Sequence, residues 1–301
     1  MNSQNHSALK IQKLKYSNLP KKDMKYIAKA DVRKLKLPPR VPGSKKGDFG
    51  KVLLIGGSQD YVGAVALAGI AALRSGVDTV TVAAPAKVAW ALNTFAPDLI
   101  TKKFDCLFFD KKQVNSVVKF AKDFDAVLIG NGIGRKSHTF CIEVIKKLSA
   151  MNKPIVVDAD AIKAISLKDA KNTILTPHKR EFQMLLENTH IRKLQLQKYI
   201  GTNVIIQKGN VDVIYTKGKL KYNKTGNPGM TVGGTGDILA GLAVGFYAQT
   251  KDSWNSAIAA AYINGLCGDI IRGEIGEGLI ASDMLKKIAW LIEDTFGKEK
   301  K

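Results

Sequence analysis

Eleven residues in the last third of the chain combine a glycine-rich turn with an acid. They read NPGMTVGGTGD at 227–237 and run directly into an apolar stretch with helical period. Gly233, Gly234 and Gly236 permit backbone conformations in which several N–H groups converge on one point, and a following helix adds free N–H groups. The pattern predicts an anion site suited to phosphate, with Asp237 placed to deprotonate a substrate hydroxyl. By itself it is also typical of an ordinary turn whose acid favours the start of a helix.

Two other small-residue turns follow apolar strands. GGSQDYVGA at 56–64 places Ala64 toward a cleft, although its spacing is a weak nicotinamide-nucleotide pattern. GNGIG at 130–134 has Gly132 and Gly134, which could admit the edge of a ligand or a phosphate. Each turn is equally typical of a plain strand-to-helix connection.

Acidic and imidazole groups stand after two further strands. In DAD, one of Asp158 and Asp160 could bind Mg²⁺ through water while the other caps a helix that begins near Ala161. In TPHKREF, His178 could hydrogen-bond a substrate and also cap a helix with Glu181. A zinc site is not indicated, because no second His or Cys stands at ligand spacing.

The segment QKGNVD at 207–212 lies between two strand patterns. Its Lys208 and Gly209 suit contact with adenosine or phosphate. A lone Lys-Gly pair is more often only a hairpin turn.

These residues need a scaffold that places strand ends together. Apolar Val/Ile/Leu runs alternate with helical patterns, which predicts an α/β fold with a mostly parallel sheet covered by helices on both faces. Ligands in such folds bind beyond the carboxyl ends of the strands, where the residues above would meet. The predicted strands are 51–57, 79–85, 126–130, 154–160, 173–177, 203–209, 211–218 and an extension at 219–224, and the predicted helices are 64–75, 138–150, 181–187, 237–249, 253–272 and 281–296.

The chain is strongly basic, with a net charge of +21 over 301 residues. Residues 1–50 contribute 11 Lys and 2 Arg against 3 Asp, a net +10. We divide the chain into a basic extension at 1–40, which drapes over the domain or pairs with a neighbour, and a domain at 41–301. A basic arm suits nucleic acid, but no aromatic-interleaved motif accompanies it, so a solvated surface that attracts polyanionic nucleotides is favoured.

Composition also bears on cellular location. Three cysteines are far apart and form no CxxC pair, which is typical of reduced, mostly buried thiols. No apolar run approaches the roughly 18–20 residues that cross a bilayer, and the N-terminus lacks a compact apolar segment. We therefore expect a cytoplasmic protein without a secretory signal.

The ordered set of motifs resembles the ATP/ADP-dependent NAD(P)H-hydrate dehydratases, repair enzymes of the ribokinase-like superfamily. The resemblance runs from about Lys46 to Leu285. It is carried by KGDFGKVLLIGGSQDYVGA, ALRSGVDTVTVAAP, GNGIG, PIVVDADAI, TPHKREF, QKGN, NPGMTVGGTGDILAGLAVGF, SWNSAIAAAYINGLCGD and ASDML. It implies a three-layer ribokinase-like sandwich.

The resemblance also implies roles for individual residues. The residues that it implies contact the hydrated nicotinamide nucleotide are Ala64, Gly132, His178 and Asp237. The residues that it implies line the adenine-nucleotide site are Lys208, Gly209, Asn210, Val211, Asp212 and Gly236. Gly233 and Gly234, from the predicted phosphate-binding turn, belong to the same site. The sequence departs from the family in three places: GNGIG stands where GPGLG is common, QKG where LKG is common, and Val65 where a proline is common.

The activity implied is dehydration of the S-epimer of NADH or NADPH hydrate back to the reduced nucleotide. ATP or ADP would phosphorylate the C6 hydroxyl, with Mg²⁺ on the phosphates, and phosphate would then leave. Relatives often carry an epimerase domain, which we expect from a separate protein here, and a tetramer is expected by analogy. The alternatives are a small-molecule kinase of the same superfamily, acting on a vitamin precursor or sugar, and a nucleotide- or RNA-binding protein without turnover.

Overall fold

Nine strands form one sheet at the centre of the protein. The computed structural model describes residues 25–297. The strand order is β3-β2-β1-β4-β5-β6-β7-β8-β9, parallel from β3 to β7 and antiparallel for β8 and β9. The strands are β1 Lys51–Ile55, β2 Thr79–Pro85, β3 Ile100–Phe104, β4 Ala126–Ile129, β5 Ile155–Val157, β6 Thr173–Leu175, β7 Val204–Gln207, β8 Asp212–Thr216 and β9 Lys219–Asn223.

Helices alternate with the parallel strands and then finish the chain. They are α1 Lys29–Val32, α2 Val62–Arg74, α3 Ala86–Phe95, α4 Val114–Ala121, α5 His138–Ala150, α6 Ala159–Ala164, α7 Lys179–Asn188, α8 Leu196–Tyr199, α9 Thr235–Thr250, α10 Ser253–Ile275 and α11 Ala281–Phe296. Six single 3₁₀ turns connect them within residues 25–297. None of the helices in this range is long and apolar enough to span a membrane.

The sheet is buried on both faces, as its continuous apolar strands predict. Side chains alternate along each strand, so Val52 and Leu54 enter one core while Leu53 and Ile55 enter the other. Helices α2, α3, α9, α10 and α11 cover the first face, and α4, α5, α6 and α7 cover the second. The predicted three-layer arrangement with a mostly parallel sheet is confirmed.

Helices α2 and α9 pack unusually close together. A Cβ at Gly241 of α9 would collide with the carbonyl oxygen of Ala68, and one at Gly245 would collide with Ser75. These two glycines let the backbones approach within a distance that larger residues exclude. The contact therefore holds α9 against a helix from the first βα unit.

Several elements differ from the sequence-based prediction. The helices α3 and α4 and the strand β3 were not predicted. In β3, ITKKF, no residue is buried, because it is the edge strand and lacks an apolar run. The predicted hairpin of β7 and β8 is confirmed, with Ile206 opposite Ile214, and β9 extends the sheet as expected.

Part of the basic extension packs onto the domain. Val32 and Leu35 are buried, Ile27 donates its N–H to Tyr222 at 2.8 Å, and Asp31 pairs with Lys221. Residues 1–24 lie outside the described part of the chain, and the boundary at residue 40 stays a prediction. The three cysteines are free, with Cys141 and Cys267 buried.

Candidate active site

Four polar side chains meet where β4, β5 and β7 end and α9 begins. The side-chain amide of Asn131 donates to Asp237 Oδ1 at 2.6 Å and to Asp158 Oδ2 at 3.0 Å. Lys208 Nζ lies 3.1 Å from Asp158 Oδ1, which also accepts from Thr176 at 2.7 Å. The cluster therefore places two carboxylates around one amide and one ammonium group.

Asp237 lies in the first turn of α9, behind the glycine turn. Gly234 precedes the helix with φ +100° and without a side-chain cap, so the amides at the helix start stay open. Within residues 25–297, no protein acceptor pairs with the backbone N–H groups of 233–237. A Cβ at Gly234 would lie 2.5 Å from Leu67 and 2.8 Å from Ala281, which explains why glycine stands there. Free amides and a positive helix end make an anion site.

The carboxyl group of Asp237 is protonated more readily than an ordinary aspartate. Burial, followed by repulsion from Asp158, raises its pKa from 3.8 to about 7, and the Asn131 hydrogen bond and the charge of Lys208 oppose this rise. A carboxylate with a pKa near neutral is suited to general-base chemistry, since the efficiency of proton transfer peaks near the working pH.

Lys208 remains charged in this setting. Burial alone would favour the neutral amine, but Asp158, Glu181 and Asp237 together raise its pKa. Its Nζ would lie 3.2 Å from a Cβ on Gly236, so the ammonium group faces the glycine turn. The structure thus joins the predicted nucleotide residues Lys208 and Gly236 although they stand far apart in sequence.

The β7–β8 turn holds the remaining predicted nucleotide residues. Asp212 closes the turn by accepting from Gly209 N–H at 3.0 Å and from Asn223 at 3.1 Å. Gly209 and Asn210 are exposed, and Val211 is half-buried. Asp212 therefore shapes the turn, while the exposed residues are free to meet a ligand.

His178 caps helix α7, as the sequence predicted. Its Nδ1 accepts from the N–H groups of Arg180 and Glu181, and Glu181 accepts in return from the His178 N–H at 2.9 Å. Burial, followed by the charges of Lys208 and Lys163, lowers the pKa of His178. About half of the imidazole is exposed (49%), so a neutral ring can both cap the helix and contact a ligand.

A cavity of about 750 Å³ opens beside Asp237. Of the predicted substrate residues, Ala64, Gly132 and Asp237 line it, whereas His178 does not. The other residues that line it are Ser58, Gln59, Asp60, Tyr61, Leu107, Phe108, Ile133, Gly134, Arg135, Lys136, Ala159, Asp160 and Lys163. Of these, the sequence analysis named Gly134 and Asp160 as candidates and gave the others no individual role. Arg135 and Lys136 directly follow GNGIG, so their position after that turn was the available signal.

The structure contradicts the capping prediction for the two acids of the DAD segment, Asp158 and Asp160. Asp158 is the residue before α6 but its side chain makes no cap, because it bonds to Asn131, Thr176 and Lys208. Asp160 accepts from the N–H of Gly134 at 3.1 Å and from Lys163 at 2.8 Å. The capping prediction is therefore wrong, and the Mg²⁺ prediction stays a prediction.

Residues 25–297 contain no group of three His, Cys, Asp or Glu side chains that could hold an ion. The Mg²⁺ expected on the nucleotide phosphates stays a prediction.

Hydrogen bonds to Asp269 of helix α10 hold the loop that precedes the glycine turn. Asp269 accepts from the Gly226 N–H at 2.9 Å and from the Asn227 side chain at 2.9 Å. Asn227 in turn accepts from the Gly229 N–H at 3.0 Å. Asp269 is the last residue of SWNSAIAAAYINGLCGD, a segment that carries the resemblance, but its anchoring role was missed because the partner loop is distant in sequence.

Comparison with known proteins identifies relatives along most of the chain. The family model for NAD(P)H-hydrate dehydratase matches residues 52–289. The chain is 39% identical over 276 residues to a bifunctional NAD(P)H-hydrate repair enzyme of Methanothermobacter thermautotrophicus, covering 87% of this chain and 53% of that one. It thus spans about half the length of the bifunctional relatives it matches.

Single-function relatives match over nearly their full length. An ADP-dependent (S)-NAD(P)H-hydrate dehydratase of Nitrosopumilus maritimus is 31% identical over 280 residues, covering 89% of this chain and 97% of that one. Among solved structures, the ADP/ATP-dependent NAD(P)H-hydrate dehydratase of Bacillus subtilis, co-crystallised with ATP and Mg²⁺, superposes with a TM-score of 0.74 at 26% identity. That match covers 91% of this chain and 99% of the other. A ribokinase-like superfamily protein of Enterococcus faecalis superposes with a TM-score of 0.80 at 26% identity, covering 93% of this chain and 99% of that one, which confirms the ribokinase-like fold.

Proposed function

Because the chain belongs to the NAD(P)H-hydrate dehydratase family, we propose that it restores NADH or NADPH from the S-epimer of the hydrate. The terminal phosphoryl group of ATP or ADP is the activating group, since relatives with these nucleotides in their names match most of the chain. The single observation that carries the proposal is Asp237 beside a set of unpaired helix-start amides.

The proposed reaction begins with proton transfer to Asp237. The C6 hydroxyl of the hydrate loses its proton to this carboxylate while the hydroxyl oxygen attacks the terminal phosphorus and the bridging oxygen leaves with the shortened nucleotide. The amides of 233–237 hold the negative charge that collects on the transferred group. A base with a pKa of about 7 is ionised in a substantial fraction of molecules at neutral pH.

The second half of the reaction is an elimination. The lone pair of ring nitrogen N1 expels phosphate from C6, which forms an iminium, and loss of a C5 proton then restores the reduced nicotinamide. Phosphate is a far better leaving group than hydroxide, which is the reason for using a nucleotide. The balance is one hydrate plus one ATP giving one NADH, one ADP, one phosphate and one proton. When ADP is the donor, AMP is formed instead of ADP.

The two substrates approach Asp237 from different elements. The nucleotide lies along Lys208, Gly209, Asn210, Val211 and Asp212, with its phosphates at Gly233, Gly234 and Gly236 and any Mg²⁺ carried on those phosphates. The nicotinamide half lies in the cavity at Ala64 and Gly132. His178 bonds the substrate from beside Lys208, whose N–H donates to the neighbouring Pro177 carbonyl at 2.8 Å.

The proposal also covers the cellular location, the oligomeric state and the partner enzyme. We place it in the cytoplasm as a symmetric oligomer, by analogy a tetramer, that repairs hydrates supplied in the S form by a separate epimerase. A function in nucleic-acid binding is not part of it, and the kinase alternative is not favoured by the family match.

The direct test is an assay with purified S-hydrate of NADH and either ATP or ADP. We expect recovery of the reduced-nicotinamide absorbance together with one free phosphate per turnover. A stable phosphomonoester without recovery would instead identify a kinase. Asp237→Asn provides the control, because it keeps the shape of the side chain and removes the base.

A further inference from the structure

We infer that Asn131 is a positioning residue for the reaction, because its side-chain amide binds Asp237 and Asp158 at once. The inference rests on the proposed role of Asp237. Asn131 would fix one oxygen of the reacting carboxylate and leave the other to the substrate. Asp237 Oδ2 has no hydrogen-bond partner within residues 25–297, and Asp237 lines the cavity.

The orientation of the Asn131 amide follows from its surroundings. The side chain is 1% exposed, and both N–H bonds point at carboxylate oxygens. The reversed amide would set its oxygen against two negative groups, which is unfavourable. In the described chain its Oδ1 has no partner, so the two donated bonds alone fix the amide.

The main chain of Asn131 is fixed as well. Its carbonyl oxygen accepts from the Gly57 N–H at 2.9 Å, in the turn that leads to α2. Gly130 and Gly132 flank it with φ +125° and +64°, conformations that glycine adopts without strain. The turn GNGIG therefore holds the donor in place rather than lining the site with glycine alone.

The bond links Asp237 to a longer chain of charges. Asp158, held by Lys208 at 3.1 Å and Thr176 at 2.7 Å, is joined to Asp237 through the same nitrogen. Without the amide, the two carboxylates would face each other with only Lys208 between their charges. The other charged groups nearby are Glu181 beside Asp237 and, around the cavity, Asp60, Arg135, Lys136, Asp160 and Lys163.

The expected effect is a shifted pH response rather than a lost reaction. In the proposed reaction the amide orients the Asp237 carboxylate and takes no proton itself, so Asp237 should still act without it. Asn131→Ala should raise the midpoint of the acid limb of kcat/KM by about one pH unit, because a hydrogen bond to the charged form is lost. Activity should fall on the order of tenfold at pH 6 and much less at pH 9.

Two more variants sharpen the test. Asn131→Asp keeps the shape and adds a third carboxylate, so its midpoint should lie above that of Asn131→Ala. Asn115→Ala, which removes an exposed acceptor of Lys147, should leave the profile unchanged. A loss that is equal at every pH, or an unmoved midpoint in both Asn131 variants, would overturn the inference while the dehydratase activity stands.

A second measurement separates this inference from the proposed function. Aspartate labelled with ¹³C at the carboxyl carbon can be titrated by NMR, and the Asp237 signal is the one missing in Asp237→Asn. An upward shift of its midpoint in Asn131→Ala supports the link between the two residues even in a protein that does not dehydrate the hydrate. An unchanged midpoint overturns it whatever the protein catalyses.

Discussion

The carboxyl ends and the amino ends of the parallel strands (the carboxyl edge and the amino edge of the sheet) each carry a cavity lined by lysine and aspartate. Within residues 25–297, the two cavities differ in how their charged groups are paired. The carboxyl edge holds the cavity of about 750 Å³ beside Asp237. The amino edge holds one of about 570 Å³ lined by Phe124, Asp125, Met151, Asn152, Lys153, Pro154, Asn172, Tyr247, Lys251 and Ser253. Volume and charge therefore do not distinguish the two.

The charged side chains and the tyrosine at the amino edge are paired within residues 25–297. Lys153 donates to the carbonyls of Lys122 and Phe124, and Lys251 donates to Asp125. Tyr247 donates to the Asn172 carbonyl at 2.7 Å. At the carboxyl edge the amides of 233–237 and one oxygen of Asp237 have no partner in the described chain. Unsatisfied polar groups are thus a better sign of a site than cavity size.

Substitution of one aspartate at each edge should give the largest difference in activity between the two edges. Asp237→Asn should lower kcat/KM for hydrate dehydration by about 10²–10⁴, the usual contribution of a general base. Asp125→Asn, at the amino edge, should change it by less than about twofold, because its oxygen still accepts from the Lys51 N–H. Steady-state kinetics with both substrates measures this, and equal effects at the two edges would contradict it.

The lysines provide the next contrast, in stability. Lys208→Met leaves Asp158, whose side chain is 3% exposed, without its cation, and removing one partner of a buried pair costs about 3–5 kcal/mol. Lys251→Met breaks a pair that is 49% and 39% exposed, where such pairs contribute about 0–1 kcal/mol. Urea unfolding at pH 7 measures both free energies. A loss of under about 1 kcal/mol in Lys208→Met would show that the buried pair is not needed for folding.

Two glycines test the anion site against an ordinary turn. Gly234→Ala should raise the KM for the nucleotide by about tenfold, because a side chain at φ +100° meets Leu67 and Ala281 and displaces the amides. Gly201→Ala, before β7 at the other edge, also has positive φ but open space around it. It should cost only about 1 kcal/mol of stability and leave the KM unchanged.

The pH dependence of stability gives the smallest effect. The pKa of Asp237 is about 7 in the folded protein against 3.8 for an ordinary aspartate, so between these values the folded form holds the extra proton. Asp237 therefore opposes folding increasingly as the pH rises from about 4 to 7. Asp237→Asn should raise the melting temperature by a few degrees at pH 8 and by almost nothing at pH 4. A gain that is the same at both pH values would contradict the raised pKa.

The sequence predicted the parts of the site that depend on local pattern. Gly234 and Asp237 were found because a glycine turn before an apolar helix has one common geometry. Asp158 and Lys208 were expected at the same edge of the sheet. The hydrogen bonds that link Asn131, Asp158 and Lys208 were not predicted, because they depend on which way each side chain turns. The cavity wall at Phe108 was missed with β3, an edge strand without a buried run. The roles of the predicted residues stay predictions.

The close contact of α2 and α9 through Gly241 has a consequence for catalysis. Both helices begin at the carboxyl edge, one near Ala64 and the other near Asp237. Their mutual spacing is fixed by packing in the interior, well away from any flexible loop. If Asp237 and Ala64 have the proposed roles, this helix contact would align the proton acceptor with the cavity wall before either substrate binds.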